Sequence, residues 1–238
     1  MKLIEKGAEP NSLKTYRATK NATYSDIDNT LDIRKSLLKE QGHICAYCMR
    51  RISLRRTKGK SSKPKIEIEH FRSQHRYPDL TLTYKNMLGV CNGNVGKPGH
   101  LLCCDKSKSS FDKTHDLVVD PLDVKRISQI KYTNDGSIFS ETNEVDKDLN
   151  KILNEPNLKK ERANLYKNLK KQIKFFWAKT NRNKPKVIAL IAKEIETWES
   201  KKWETKKDEA KTKIGQFEPY CATALYFLRK RHHQYSKS

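Results

Sequence analysis

The sequence predicts an α+β protein in two parts, and three observations lead there. Up to about Asp123 the chain is rich in Gly, Pro, His, Cys and Asn, which suits short elements and functional loops. Beyond about Asp146 it turns to Lys, Glu, Leu and Ile with few breakers, the composition of helices. Two segments of the first part carry strand signals: the alternation Lys65-Ile66-Glu67-Ile68-Glu69, and the residues flanking the turn Asn134-Asp135-Gly136.

Taken in order, Asn29 to Gln41 reads as a helix with Leu31, Leu37 and Leu38 apolar, and Gly42 stands at its C-cap just before a cysteine pair. Arg55 to Lys65 is basic and carries Gly59, Ser61, Ser62 and Pro64, so a mobile loop is expected. The strand that follows delivers His70 at its end. Ile130 to Phe139 is expected to form a hairpin. In the second part Leu165, Leu169, Ile173 and Phe176 share one helical face, as do Ile188, Ile191, Ile195 and Trp198, with Asn181 to Pro185 between them. A last helix is expected over Tyr220 to Arg231, with Ala224, Leu225, Leu228 and Cys221 inward. Trp177, Trp198 and Trp203 could stack on bases, although aromatics at helical spacing are more often core.

The net charge of +22 over 238 residues suits a protein that lies against phosphates, so nucleic acid is the expected partner. The N-terminal apolar stretch is too short for a signal peptide, and no apolar run reaches the roughly 18 residues of a membrane span, so a cytoplasmic protein is expected with no membrane partner. In that setting six cysteines with a Cys-x-x-Cys spacing point to metal rather than to disulfides. A closed zinc site takes four ligands. Cys45 and Cys48 supply two, and Cys91 with Cys103 or Cys104 supplies the others; the favoured set is Cys45, Cys48, Cys91 and Cys104, with His100 as a substitute if one cysteine is not a ligand. Between the knuckles lie Glu69, His70 and Asn86. A histidine can accept a proton near neutral pH, and a carboxylate beside it can hold a cation, the two things phosphodiester hydrolysis needs. Lys106 and Lys108 at the start of a short helix, and Arg72 and Arg76 just after the histidine, are candidate nucleic-acid contacts.

Glu69-His70, Tyr84-Lys85-Asn86-Met87-Leu88 and Cys104-Asp105-Lys106-Ser107-Lys108, framed by cysteines, resemble the HNH endonucleases, whose site is a ββα-metal finger. The likeness extends to the HNH subunit of Septu-type and retron-associated anti-phage systems through Glu5 to Pro10, Ser36 to Gln41, Cys45 to Met49 and Lys65 to His70, and it is dense from about Ile4 to Asp123. It implies a zinc-stapled ββα finger within a nuclease domain spanning 1–145, followed by a helical domain, 146–238, that binds a partner or nucleic acid. It also implies that His70 is the general base, that Asn86 braces the loop and orients His70, and that Glu69 and Asp105 hold a catalytic Mg²⁺ or Mn²⁺. Asp105 stands where many members carry His or Asn, which bears on metal preference. A regular strand would put Glu69 and His70 on opposite faces, so either the strand ends or bulges between them or Glu67 becomes the ligand. The resemblance further implies metal-dependent cleavage of DNA or RNA in phage defence. Its implied partners are an ABC or SMC-like ATPase and, in retron systems, a reverse transcriptase with its RNA-DNA product. The competing expectation is a noncatalytic zinc-dependent nucleic-acid-binding or adaptor protein.

Overall fold

The computed structural model describes residues 1–54, 65–111, 114–200, 202–204 and 214–237, with the side chains of 202–204 and 214 left aside. The expected loop from Arg55 falls almost wholly outside the described residues, as does the side chain of Trp203. The first part opens with α1 (Asn11–Arg17) and α2 (Leu31–Gln41). Gly42 ends α2 in the left-handed region at φ 56°, and a Cβ there would lie 2.4 Å from the Phe217 ring, so both conformation and space demand glycine. The inward residues of α2 are Ile33, Leu37, Leu38 and Gln41, whereas Leu31, expected among them, is 41% exposed. Leu31 shares a face with Leu38, seven residues on, but it is the first residue of the helix and stays exposed there, while Ile33, four residues from Leu37, takes an inner position.

A two-stranded antiparallel sheet follows, β1 (Glu67–His70) on β2 (Met87–Val90), with Glu69 opposite Leu88 and His70 opposite Met87. The buried Gln41 side chain clamps this sheet to α2. Its Oε1 accepts from Gly89 N at 2.7 Å, while its Nε2 donates to Gly89 O at 2.7 Å and Ile44 O at 2.9 Å. Next come α3 (Cys104–Lys108), α4 (Val124–Ser128) and the expected hairpin, β3 (Lys131–Tyr132) with β4 (Ile138–Phe139).

The second part is helical: α5 (Asn143–Leu153), α6 (Pro156–Lys179), α7 (Lys184–Glu199) and α8 (Cys221–Lys237). Glu155 caps α6 by accepting from Asn157 N and Leu158 N, each at 3.0 Å, with Pro156 next at a position that needs no amide donor. Asn181 and Arg182, both at positive φ, make the turn into α7, which Asn183 caps. A short antiparallel pair, β5 (Lys202–Glu204) with β6 (Ile214–Gln216), interrupts the expected all-helical run.

The two parts share one core. Its buried cluster runs from Met1, Leu37 and Leu88 through Leu149, Leu158 and Val187 to Ala224 and Leu228. Arg162, 2% exposed, ties α6 to the hairpin and α5 by donating to Gly136 O at 2.6 Å and Leu153 O at 2.8 Å. The molecule is therefore α+β, with small two-stranded sheets among helices. Among the described residues no helix is long and apolar enough to cross a membrane.

Candidate metal centre and the adjoining histidine

Cys45 to Cys48 form a knuckle held by its own backbone. Cys45 N donates to Arg50 O at 2.8 Å and Met49 N to Cys45 O at 3.0 Å, with Met49 at a φ of 63°. Cys91 follows the end of β2, and Cys104 opens α3. The loop joining them folds back so closely that a Cβ on Gly93, at φ 55°, would sit 2.5 Å from Cys103 O; only glycine fits.

This arrangement brings the Sγ atoms of Cys45, Cys48, Cys91 and Cys104 within 4.8 Å of one another, all buried. Three of the separations are 3.9 Å for Cys45 to Cys104, 3.7 Å for Cys48 to Cys91 and 3.8 Å for Cys91 to Cys104. Tetrahedral zinc with Zn–S bonds of about 2.3 Å separates its sulfurs by about 3.8 Å, so the donor set fits a metal such as zinc. Hydrogen bonds from Cys103, Cys104, Cys45 and Cys48 hold the Cys91 thiol well below its ordinary range, while burial pushes Cys45 and Cys104 well above theirs. Metal binding displaces the thiol protons that the cluster holds.

Cys104 belongs to this set and Cys103 does not. The Cys103 sulfur instead accepts from Arg50 Nη2 at 2.9 Å. The same guanidinium reaches Cys48 Sγ from Nε at 3.4 Å and Cys91 Sγ from Nη2 at 3.5 Å, a fixed cation beside the cluster's sulfurs. Its only sequence signal is a basic residue two places after the knuckle. His100 is exposed and stands outside the cluster.

β1 carries the other candidate residues. The strand is paired through both Glu69 and His70 with no bulge, so their side chains leave from opposite faces. On one face Glu69 accepts from Lys108 Nζ at 2.6 Å and Tyr47 Oη at 3.3 Å. Asp105, on the first turn of α3, lies beside it. Burial, followed by the neighbouring Asp105, pushes the Glu69 carboxyl well above the usual range; Asp105 is held low despite its own burial by hydrogen bonds from Glu69 and Lys106. Glu67 shares this face, but its carboxylate pairs with Lys106 at 2.7 Å, and Lys106 also reaches Asp105 at 2.8 Å.

On the opposite face the His70 ring meets Tyr24 edge-on at 4.4 Å. Thr81 O lies 2.8 Å from its Nε2 and Gln74 Nε2 lies 3.0 Å from its Nδ1. Because a carbonyl only accepts, Nε2 carries the proton and Nδ1 presents a lone pair, to which Gln74 donates. Burial depresses the His70 pKa, against the Thr81 carbonyl, which favours the cation. Asn86 holds the loop around this ring: Oδ1 accepts from Arg72 N at 2.7 Å, and Nδ2 donates to Arg72 O at 3.0 Å and Leu80 O at 3.2 Å.

One expectation is corrected. Lys108 is 1% exposed, with its ammonium between Glu69 and His70 O at 2.8 Å, so it is an interior counter-ion and not a nucleic-acid contact. It lies four residues along α3 from Cys104, and the buried cysteine carries that face of the helix inward. Arg72 and Arg76 stay partly exposed, and both pair with Asp116, which also accepts from Tyr77 Oη. A comparison with protein-family models finds no match, and neither does a search of curated proteins.

Proposed function

We propose that the chain is a metal-dependent endonuclease of the HNH kind, with the nuclease site carried by residues 1–145 and a helical part, 146–238, packed on the same core. The observation that carries this reading is the pairing, at the end of β1, of a neutral imidazole having one fixed nitrogen with a cluster of two carboxylates on the opposite face. In this mechanism His70 Nδ1 takes a proton from water once the Gln74 amide swings away, and the water oxygen attacks phosphorus. The bond from phosphorus to the leaving oxygen breaks, and that oxygen takes a proton from solvent. Thr81 O holds the ring tautomer, and Asn86 holds the loop carrying Thr81. Two carboxylates in contact favour a cation between them, so Glu69 and Asp105, with Glu67 on the same unbulged strand face as the alternative ligand, are the residues that would hold Mg²⁺ or Mn²⁺, whose chemistry is to neutralise charge developing on the phosphate. The four thiols would hold structural zinc. The Septu and retron resemblance supports a cytoplasmic defence effector working with an ABC or SMC-like ATPase and, in a retron, with a reverse transcriptase and its RNA-DNA product.

The test is cleavage of DNA and total RNA with Mg²⁺ or Mn²⁺ by the purified protein, alone and with its ATPase. His70→Ala is expected to lose about 10²- to 10⁴-fold in rate with zinc content unchanged; near-wild-type turnover refutes the assignment. One observation favours a second reading, a noncatalytic zinc-dependent nucleic-acid-binding or adaptor protein: Lys108 already neutralises Glu69. Binding without cutting under every one of these conditions selects it.

A further inference from the structure

Away from the metal centre, α6 and α8 enclose a groove of about 220 Å³, smaller than the roughly 300 Å³ at which pockets for drug-sized ligands begin. It is large enough for a planar group and too small for a bulky cofactor. Four aromatic rings line it beside Leu169, Ile173 and Leu228: Trp177 and Tyr235 meet edge to face at 5.4 Å, and Tyr166 packs on Phe227 at 4.5 Å. Trp177, Tyr166 and Tyr235 are only partly buried. Among the described residues their indole N–H and hydroxyls make no hydrogen bond, whereas Tyr47, Tyr84 and Tyr220 each donate to a carboxylate.

The rim is cationic and its charge is unbalanced. Lys170 and Lys174 are exposed and form no ion pair among the described residues, and the Arg231 guanidinium meets the neutral Gln234 amide at 2.9 Å. Around His70 the reverse holds, since Arg72, Arg76, Lys106 and Lys108 all face carboxylates. α6 carries seven lysines and Arg162 against a single acid, Glu161, and α8 carries no acidic residue.

Partly exposed aromatic rings flanked by uncompensated cations are the elements of single-strand recognition, in which bases stack on the rings and phosphates follow the charges. We propose that the α6–α8 groove binds single-stranded nucleic acid, seating a base against Trp177 and Tyr235 with the backbone along Lys170, Lys174 and Arg231. An acidic peptide would satisfy the cations but leave the aromatic rings without a stacking partner. The proposal rests on nucleic acid as the ligand and is independent of hydrolysis.

The experiment uses the full chain carrying His70→Ala, without added Mg²⁺, and labelled oligo(dT) and oligo(U) of about 20 nucleotides, longer than a typical single-domain site. Fluorescence anisotropy is read between about 50 and 200 mM salt. Trp177→Leu with Tyr235→Leu is expected to weaken binding about tenfold. Lys170→Gln with Lys174→Gln, both at the surface and so harmless to folding, is expected to reduce the salt slope by roughly 1 to 1.5. Trp177→Phe should keep most of the affinity and abolish the tryptophan quenching that accompanies binding. The proposal is overturned if the lysine variant leaves slope and affinity unchanged, if the wild type binds neither oligonucleotide, or if a poly-glutamate peptide binds more tightly than both. A parallel cleavage assay in the His70 background separates the readings: binding without any cutting by His70-containing protein sinks the nuclease and spares the groove, and cutting with groove-independent binding does the reverse.

Discussion

Lys108 and Gln74 are the residues whose positions most change what the chemistry around β1 can do. The Lys108 to Glu69 pair is almost wholly desolvated, with side chains 2% and 7% exposed. Removing one partner of such a pair leaves an uncompensated buried charge and costs about 3–5 kcal/mol. Lys108→Met is therefore expected to lower stability by that order, measured by urea denaturation, while leaving the salt dependence of nucleic-acid binding unchanged. A lysine that contacted phosphate would show the opposite pattern. Gln74 covers the His70 lone pair, so under the proposed mechanism Gln74→Ala should raise the cleavage rate several-fold. A loss of rate would instead make Gln74 a residue that orients the ring. The Cys45-x-x-Cys48 spacing and the Glu69-His70 couple are legible in the sequence because local spacing constrains where such side chains can meet. The burial of Lys108 is not legible, because it depends on how α3 turns after Cys104. Arg50 and Gln41 escape for a related reason: each acts on groups brought close only by the folded chain.

Among the elements, the loop from Cys91 to Cys103 does most to set the site. It must reverse within the width of a glycine so that β2 and α3 both present a sulfur to the knuckle. Gly93→Ala combines an unfavourable φ with a backbone clash and is expected to cost about 1–3 kcal/mol. The loss should appear together with reduced zinc content in elemental analysis, whereas Gly99→Ala, with open space around it, should change neither. Elements with strong periodicity or explicit turn residues are readable beforehand: α2 with Gly42, the Asn134-Asp135-Gly136 hairpin, and the break between α6 and α7. The pair β5–β6 is not readable, since each strand has only three residues, too few for alternation to stand out from a helical pattern. Leu31 misleads for a different reason: its spacing puts it on the face of Leu38, yet as the first residue of the helix it stays exposed.

For the whole molecule, the continuity of the core decides how it can be divided. Leu149, Ile152, Leu158 and Leu228 lie in the same buried cluster as Leu37 and Leu88, Ser107 Oγ donates to Lys151 O at 2.6 Å, and Phe217 N donates to Gly42 O at 2.9 Å. Ending the chain after Leu149 would strip apolar surface from the part that bears the thiols. The truncated protein is expected to aggregate with substoichiometric zinc, as judged by size-exclusion chromatography and metal analysis; a monodisperse, zinc-loaded product would contradict this. The thiol cluster also bears on how the chain reaches this state. Cys45 and Cys104 are 59 residues apart, so a metal joining them closes a long loop whose entropy the unfolded chain would otherwise retain. Refolding from denaturant should accordingly be faster and more complete when zinc is supplied at the outset than when it is added afterwards. The denaturation midpoint should climb with free zinc concentration, as expected for a ligand that binds only the native chain.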